Sequence, residues 1–356
     1  MYRRVTFSSV GRRLQQRSIS SSVCLQSERA LPHFHANDKC SEALRTPKTV
    51  SVIGAPMTFG QPLPGTDGGP KLIRDAGLLK TLKKLGWAVD ETGNLEYVAP
   101  TSEDPVLDSQ YGKAKNCFAV GNGTKKLYEI YKKKAEEGKF CLVLGGDHTI
   151  GAGSLAGLLS VHSNAGVIWV DAHADINTPA GSGSGNMHGM PVSFLMEGMV
   201  DTSKLPGFEW IVDVPKMKPD QLVYIGLRDI DDFERGVLRE KKIRAFTMQD
   251  VDRYGIGKVM EMALDHLSSK KHRPIHVSYD IDAVDPLIAP STGTRVRGGL
   301  TWREANYVAE AVAETNQMVG LDMVEVNASL APGDGAQITV DMALMLIASA
   351  MGNRIL

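Results

Sequence analysis

The chain has 356 residues, 42% of them hydrophobic and 23% charged, enough apolar material for a large buried core, which excludes a globally disordered protein. Its 40 Lys and Arg against 41 Asp and Glu leave no excess charge to attract a phosphate backbone or an anionic membrane, so no nucleic-acid partner is expected. The longest apolar stretch, Met342 to Met351, falls far short of the roughly 18 residues of a membrane span; it reads as a buried helix in a soluble protein with no membrane partner.

Taken in chain order, residues 1–27 contain five arginines and seven serines, with no acidic residue before Glu28. That composition is typical of a mitochondrial transit peptide, and no uninterrupted apolar run marks a secretory signal. The expected location is the mitochondrial matrix. Residues 28–47 read as a flexible join, and 48–356 as one domain. Within it, short β-branched or apolar runs alternate with amphipathic stretches such as Leu127–Glu137 and Ile256–Leu267. Eight runs predict strands: Thr49–Gly54, Gly86–Val89, Phe140–Leu144, Gly166–Val170, Leu222–Ile225, Ile243–Phe246, Ile275–Tyr279 and Val319–Val324. The alternation implies an α/β fold, a parallel sheet of about eight strands with helices on both faces. Pro56–Pro70 and Gly181–Gly185 read as long loops at strand ends, where such sheets place ligand-binding residues. Cys24, Cys40, Cys117 and Cys141 show no paired spacing, so neither a disulfide framework nor a thiolate metal site is expected.

Three chemistry-bearing motifs follow strand runs directly: Gly145-Gly146-Asp147-His148, Asp171-Ala172-His173-Ala174-Asp175 and Asp280-Ile281-Asp282. In extended chain, residues two apart share a face, so the alternating Asp and His side chains are expected to converge. The carboxyl ends of parallel strands bring the three motifs to one edge. Four carboxylates and two imidazoles then share a site, and that many carboxylates stay ionised together only if cations neutralise them. Two divalent ions match both the charge and the number of ligands. An oxygen-rich set with imidazole and no thiolate favours Mn²⁺, with Zn²⁺, Fe²⁺ and Co²⁺ as alternatives. The glycines from Gly145 to Gly157 lack the spacing of a phosphate-binding loop.

With Ser184-Gly185-Asn186-Met187-His188-Gly189-Met190-Pro191 and Glu325-Val326-Asn327 added, these motifs resemble the ureohydrolase family. Asn177-Thr178 and the Ser-Gly-Asn before His188 are more typical of its arginases. The resemblance runs from about Thr49 to the C-terminus. It implies a three-layer fold and two Mn²⁺ bound by His148, Asp171, His173, Asp175, Asp280 and Asp282, with Asp171 and Asp280 bridging. It also implies hydrolysis of L-arginine to L-ornithine and urea by a hydroxide shared between the ions. Asp175 is the expected proton donor to the leaving amine, and His188 is a proton shuttle whose imidazole titrates near neutrality. Glu325 pairs with the guanidinium. Asn177 and Ser184 match positions holding the α-carboxylate, with Ser182 and Asn186 in the same loop. Asp231 matches the position binding the α-ammonium, with Glu234 a weaker match nearby. Thr294 and Asp147 are expected to support the ligands from behind.

Ser182 departs from a threonine common in vertebrate arginases, and its flanking glycines loosen the loop. Arg303 and Glu304 match intersubunit salt-bridge positions, implying a homotrimer or a hexamer. The chain nevertheless stops close behind its last helix, without the C-terminal tail of vertebrate arginases. An agmatinase or another guanidino-substrate ureohydrolase would share every metal ligand; Asn177 with Ser184 argues against it, since agmatine has no α-carboxylate. A non-catalytic homologue is the remaining alternative, opposed by the complete ligand set. A zinc deacetylase of similar fold would use fewer ligands and one ion.

Overall fold

The computed structural model describes residues 35–36, 41–268, 272–331 and 333–354; the expected transit peptide lies outside them, as do Cys24 and Cys40. Among the described residues there are ten strands: β1 (His35–Ala36), β2 (Thr49–Ala55), β3 (Ala88–Asn94), β4 (Phe140–Gly145), β5 (Gly166–Val170), β6 (Leu222–Leu227), β7 (Arg244–Thr247), β8 (Ile275–Asp280), β9 (Met318–Val324) and β10 (Asn353–Arg354). The α-helices are α1 (Gly69–Asp75), α2 (Leu78–Lys84), α3 (Cys117–Glu136), α4 (Gly151–Val161), α5 (Pro191–Leu195), α6 (Asp232–Glu240), α7 (Met248–Ser268), α8 (Trp302–Glu314) and α9 (Gly335–Ala350). β2 to β9 form one parallel sheet in the order β3-β2-β4-β9-β8-β5-β6-β7, while β1 and β10 pair antiparallel on their own.

Apart from α6, the helices fall into two packed groups. One runs α3-α4-α5; the other links α2, α1 and α9 to α8 and α7. A parallel sheet covered on both faces needs apolar residues in both directions along each strand, and β4, β5, β6, β8 and β9 are buried throughout. The polar exceptions lie in the middle of the sheet: His276 and Ser278 on β8 and Asp322 on β9 are wholly buried.

All eight expected strands are present. The edge strand β3 is displaced to Ala88–Asn94, because an edge has one neighbour and tolerates the half-exposed sequence Asp90-Glu91-Thr92-Gly93 that carries no apolar signal. α3 begins ten residues before the expected Leu127, since its first turns bury Ala119, Val120 and Thr124 and leave no clean polar face to read. α7 is two helical pieces joined at Gly255, whose φ of 74° suits glycine; the expected Ile256–Leu267 helix is its second piece. The Met342–Met351 segment is the largely buried second half of α9 with its C-cap, Met351. Cys117 and Cys141 are buried and unpaired. Within the stretch read as a flexible join, Leu44 is buried and Thr46 N donates to Gly138 O. Arg303 pairs with Glu310, and Glu304 completes a capping box with Thr301 at the start of α8, so both have partners within the chain.

The turn after β4 depends on a close backbone approach. Gly146 N donates to Ala55 O at 3.0 Å, and a Cβ on Gly146 would stand 1.9 Å from Met57 O. Gly146→Ala must therefore push β2 and β4 apart. We expect it to cost about 3 kcal/mol, measured as a lower urea midpoint at unchanged m-value; an unchanged midpoint would contradict the packing described.

Candidate metal centre and active site

His148 follows β4 in a short 3₁₀ turn capped by Asp147, which accepts from Thr149 N at 3.1 Å and from Gly60 N at 2.8 Å. The His148 ring stacks on Trp169 with centroids 4.0 Å apart and planes 9° from parallel. Its Nε2 lies 2.9 Å from Ser278 Oγ, which donates to Asp322 Oδ2 at 3.2 Å. Asp322 also accepts from Ser154 and stands 3.1 Å from His276 Nε2. Ring orientation is thus set from behind, and the buried Nδ1 makes no hydrogen bond of proper geometry. It faces Asp171 Oδ2 at 3.0 Å, Asp175 Oδ2 at 3.2 Å and Asp280 Oδ2 at 3.2 Å.

The Asp and His side chains converge as expected, but not by strand alternation. β5 ends at Val170, so residues 171–175 lie beyond it. Asp171 Oδ1 accepts from His173 N at 2.7 Å, and Oδ2 accepts from Trp169 Nε1 at 3.0 Å. Asp175 turns the chain with a φ of 49°, a conformation uncommon outside glycine that Asp tolerates better than most. Similarly, Asp280 ends β8 and accepts from Asp282 N at 2.7 Å, while Asp282 sits in a 3₁₀ turn. A carboxylate that caps its own turn converges because the chain bends around it. His173 Nδ1 lies 3.1 Å from Asp282 Oδ2 and 3.3 Å from Asp171 Oδ1. Thr294 Oγ1 donates to Asp282 Oδ2 at 3.0 Å.

Two groups of side chains result that could each hold a metal ion: His148, Asp171 and Asp175, and Asp171, His173 and Asp282. Asp171 belongs to both. Burial, and then the Asp171 charge, push Asp175 up to about 6; Asp280 and Asp282 are raised by burial and neighbouring carboxylates. Burial opposes the charged forms of Asp171, His148 and His173 as well. The imidazoles nevertheless hold Asp171 below its usual range, and the carboxylates raise both histidines. The ion-free cluster is thus balanced by protons, and cations would take their place.

Glu325 follows β9 with a φ of 63° and is buried. Oε1 accepts from His148 N at 2.8 Å, and Oε2 accepts from Gln61 Nε2 at 2.8 Å. Sequence reasoning missed Gln61 because a single polar residue in the Pro56–Pro70 loop has neither periodicity nor a motif. His188 Nδ1 lies 3.7 Å from Glu325 Oε1, and His188 N donates to Gly60 O at 3.1 Å. Burial alone would lower the His188 pKa, but Glu325, Asp175 and Asp147 raise it to about 9, above the expected near-neutral value. Cations among the same carboxylates act in the opposite direction.

A cavity of about 290 Å³ opens onto this cluster, lined by His173, Asp175, Asp280 and His188 together with Asn177, Asp231 and Glu234. Asn177 Nδ2 donates to Asp231 Oδ2 at 2.7 Å, leaving Asn177 Oδ1 buried without a partner. Asp231 and Glu234 form the capping box of α6, and Glu234 also accepts from Ile176 N at 3.2 Å. Burial first, then Asp175 and Asp231, raise Glu234 to about 8. Ser182, Ser184 and Asn186 lie on the adjoining loop and do not line the cavity; Ser184 is exposed, and its Oγ accepts from Asn186 N at 3.1 Å.

The model of the Arginase family matches residues 48–352, the interval holding every residue of this site. The chain belongs to the Arginase family. It is 46% identical to the arginase of Glaciozyma antarctica over 327 residues, 90% of this chain and 93% of that one. It is 44% identical to the mitochondrial arginase-2 of Rattus norvegicus over 322 residues, 90% of this chain and 89% of the relative. The solved arginase of Bacillus caldovelox matches with a TM-score of 0.78 at 36% identity, covering 86% of this chain and 99% of that structure. This chain is thus a hydrolase of the Arginase family, with a clustered Asp and His site at the carboxyl ends of its central strands.

Trp169 touches both groups of candidate ligands, through the His148 ring and through Asp171. Adding Mn²⁺ to chelator-stripped protein should quench tryptophan emission saturably, and Trp169→Phe should remove most of that change although Trp87, Trp210 and Trp302 remain. An equal response in the variant would place the ions elsewhere.

Proposed function

We propose that this protein is a manganese-dependent arginase, hydrolysing L-arginine to L-ornithine and urea. The observation that carries the reading is the buried Asp171 carboxylate shared between two ligand groups, whose members His173 and Asp175 line a cavity together with Asn177, Asp231 and Glu234. The donor set fits divalent ions: the orphaned Nδ1 of His148 faces three carboxylate oxygens, and oxygen and imidazole without thiolate suit Mn²⁺. His148, Asp171, His173, Asp175, Asp280 and Asp282 would hold two ions, Asp171 being common to both ligand groups. Bound there, the pair supplies the positive charge that makes water a competent nucleophile at neutral pH.

The protein's own groups do the rest. Glu325, held by Gln61 and His148 N, pairs in this reading with the planar guanidinium, which otherwise resists attack because its charge is delocalised. Asp175, buried beside Asp171, can hold a proton and deliver it to the leaving amine. His188, part-exposed in the cavity lining, relays protons between cavity and solvent. Asp231 offers a carboxylate to the α-ammonium. Asn177, with Ser184 and the rest of the Ser182–Asn186 loop, receives the α-carboxylate. Assembly as a homotrimer, or a hexamer of two trimers, in the mitochondrial matrix belongs to the same proposal. It is supported by the arginine- and serine-rich residues 1–27 and by the mitochondrial relative, while Arg303 and Glu304 match interface positions.

Urea release by the Mn²⁺-loaded protein tests the reading. L-Arginine should be preferred over agmatine on the order of a hundredfold or more in kcat/KM, because a site built to hydrogen-bond a group rejects the analogue lacking it. Asp171→Ala should lose both ions, whereas His188→Ala should keep them and lower kcat about a hundredfold. A preference for agmatine would discard the α-carboxylate roles, and metal loss in His188→Ala would make that residue a ligand.

Metal retention should also follow pH. Asp175 binds an ion only when deprotonated, and its carboxyl is raised to about 6 in the ion-free cluster, so protons compete increasingly as pH falls below that value. Dialysis near pH 5 should strip metal that is retained near pH 8, as read by atomic absorption; equal retention at both would contradict carboxylate ligation.

A further inference from the structure

Phe233, the second residue of α6, does not line the cavity, yet it meets the loop leading out of it. A Cβ on Gly181 would stand 2.6 Å from Cδ2, Cε1 and Cε2 of the Phe233 ring. Equal distances to three ring carbons mean that Gly181 faces the flat of the ring, at a separation only a residue without a side chain permits. The loop carries glycine at 181, 183 and 185, so ordering it costs more conformational entropy than ordering an ordinary loop. Its other flank is held by the preceding segment: Lys113 N donates to Pro179 O at 2.7 Å, Lys115 N to Gly185 O at 2.8 Å and Lys115 Nζ to Asn186 Oδ1 at 2.9 Å. On the α6 side, Phe233 supplies the hold, through an apolar side chain left 36% exposed.

We propose that Phe233 is a positioning residue for substrate affinity: by packing on Gly181 it holds the Ser182–Asn186 loop where it receives the α-carboxylate. The inference rests on the function proposed above and deepens it. α6 begins with Asp231 as its N-cap and carries Glu234 in its first turn, so one short helix presents a carboxylate to the α-ammonium and, through Phe233, steadies the loop for the α-carboxylate. The contact lies away from the metal-ligand cluster, so its loss should act on KM and not on kcat.

The test compares Phe233→Ala, Phe233→Tyr, Gly181→Ala and the Phe233→Ala/Gly181→Ala double variant in the Mn²⁺-loaded full chain. KM and kcat are measured for L-arginine and for agmatine, which has no α-carboxylate; L-ornithine binding is measured by calorimetry, and metal content by atomic absorption. Phe233→Ala should raise KM for L-arginine and weaken L-ornithine about three- to tenfold, the range expected when a loop must be ordered on binding. kcat, metal content and kcat/KM for agmatine should stay within about twofold. Phe233→Tyr keeps the ring face and should behave as the parent protein does. Gly181→Ala should displace the ring and reproduce the KM effect, and in the double variant it should add nothing to Phe233→Ala. The proposal is overturned by an unchanged KM, by equal losses for both substrates or by additive effects. Should Phe233→Ala fail to fold, Gly181→Ala and Phe233→Tyr decide the same contact. A parent protein that releases no urea from L-arginine refutes the proposed function instead, and L-ornithine binding then still decides whether Phe233 serves the loop.

Discussion

Four buried carboxylates, one buried imidazole and one part-exposed imidazole meet at one edge of the sheet, and this charge is the constraint around which the structure is organised. Asp171, Asp175, Asp280 and Asp282 lie within reach of His148 and His173, with almost no solvent to screen them. Burial alone would drive every carboxylate neutral and every imidazole uncharged; each is held where it is by the others. Such a cluster persists only if its geometry is enforced from outside, because mutual repulsion would otherwise open it.

That enforcement comes from the middle of the sheet. Ser278 and Asp322 sit on the adjacent strands β8 and β9 and connect His148 to His276, while Trp169 on β5 stacks on the same imidazole and donates to Asp171. Buried polar side chains cost free energy unless each is satisfied, and here their partners are the site itself. Parallel strands all point one way, so β4, β9, β8, β5 and β6, neighbours in the sheet, release their following turns onto a single edge. Glu325, after β9, and His148, after β4, meet there where the Glu325 carboxylate accepts from the His148 backbone N–H, although they lie 177 positions apart in the chain.

The loops on that edge divide the work by stiffness. The turns carrying Asp171, Asp175, Asp280 and Asp282 are short and capped by their own carboxylates, so candidate ligands are held by local hydrogen bonds. The loop carrying Ser182, Ser184 and Asn186 is rich in glycine and depends on neighbours on both flanks. Rigid turns suit groups that must meet an ion within tenths of an ångström, and a loop steadied from outside suits a substrate that must enter and leave.

Much of this was legible in the amino-acid sequence. Eight apolar runs placed eight strands, because a strand buried on both faces has a continuous signal; β3, half-exposed at an edge, lacked that signal and was displaced. The Asp and His motifs identified the cluster because each follows its strand directly, and topology alone brings strand ends together. By itself the sequence determined the fold class, the family resemblance and the residues that converge, since these depend on local pattern and chain order. Tertiary structure decided how they converge: Asp175 and Glu325 adopt positive φ, Gln61 reaches Glu325 across 264 residues, and Phe233 lies against Gly181. No local pattern encodes such contacts, because each joins segments whose relative position is set only when the sheet and its two helical layers have packed.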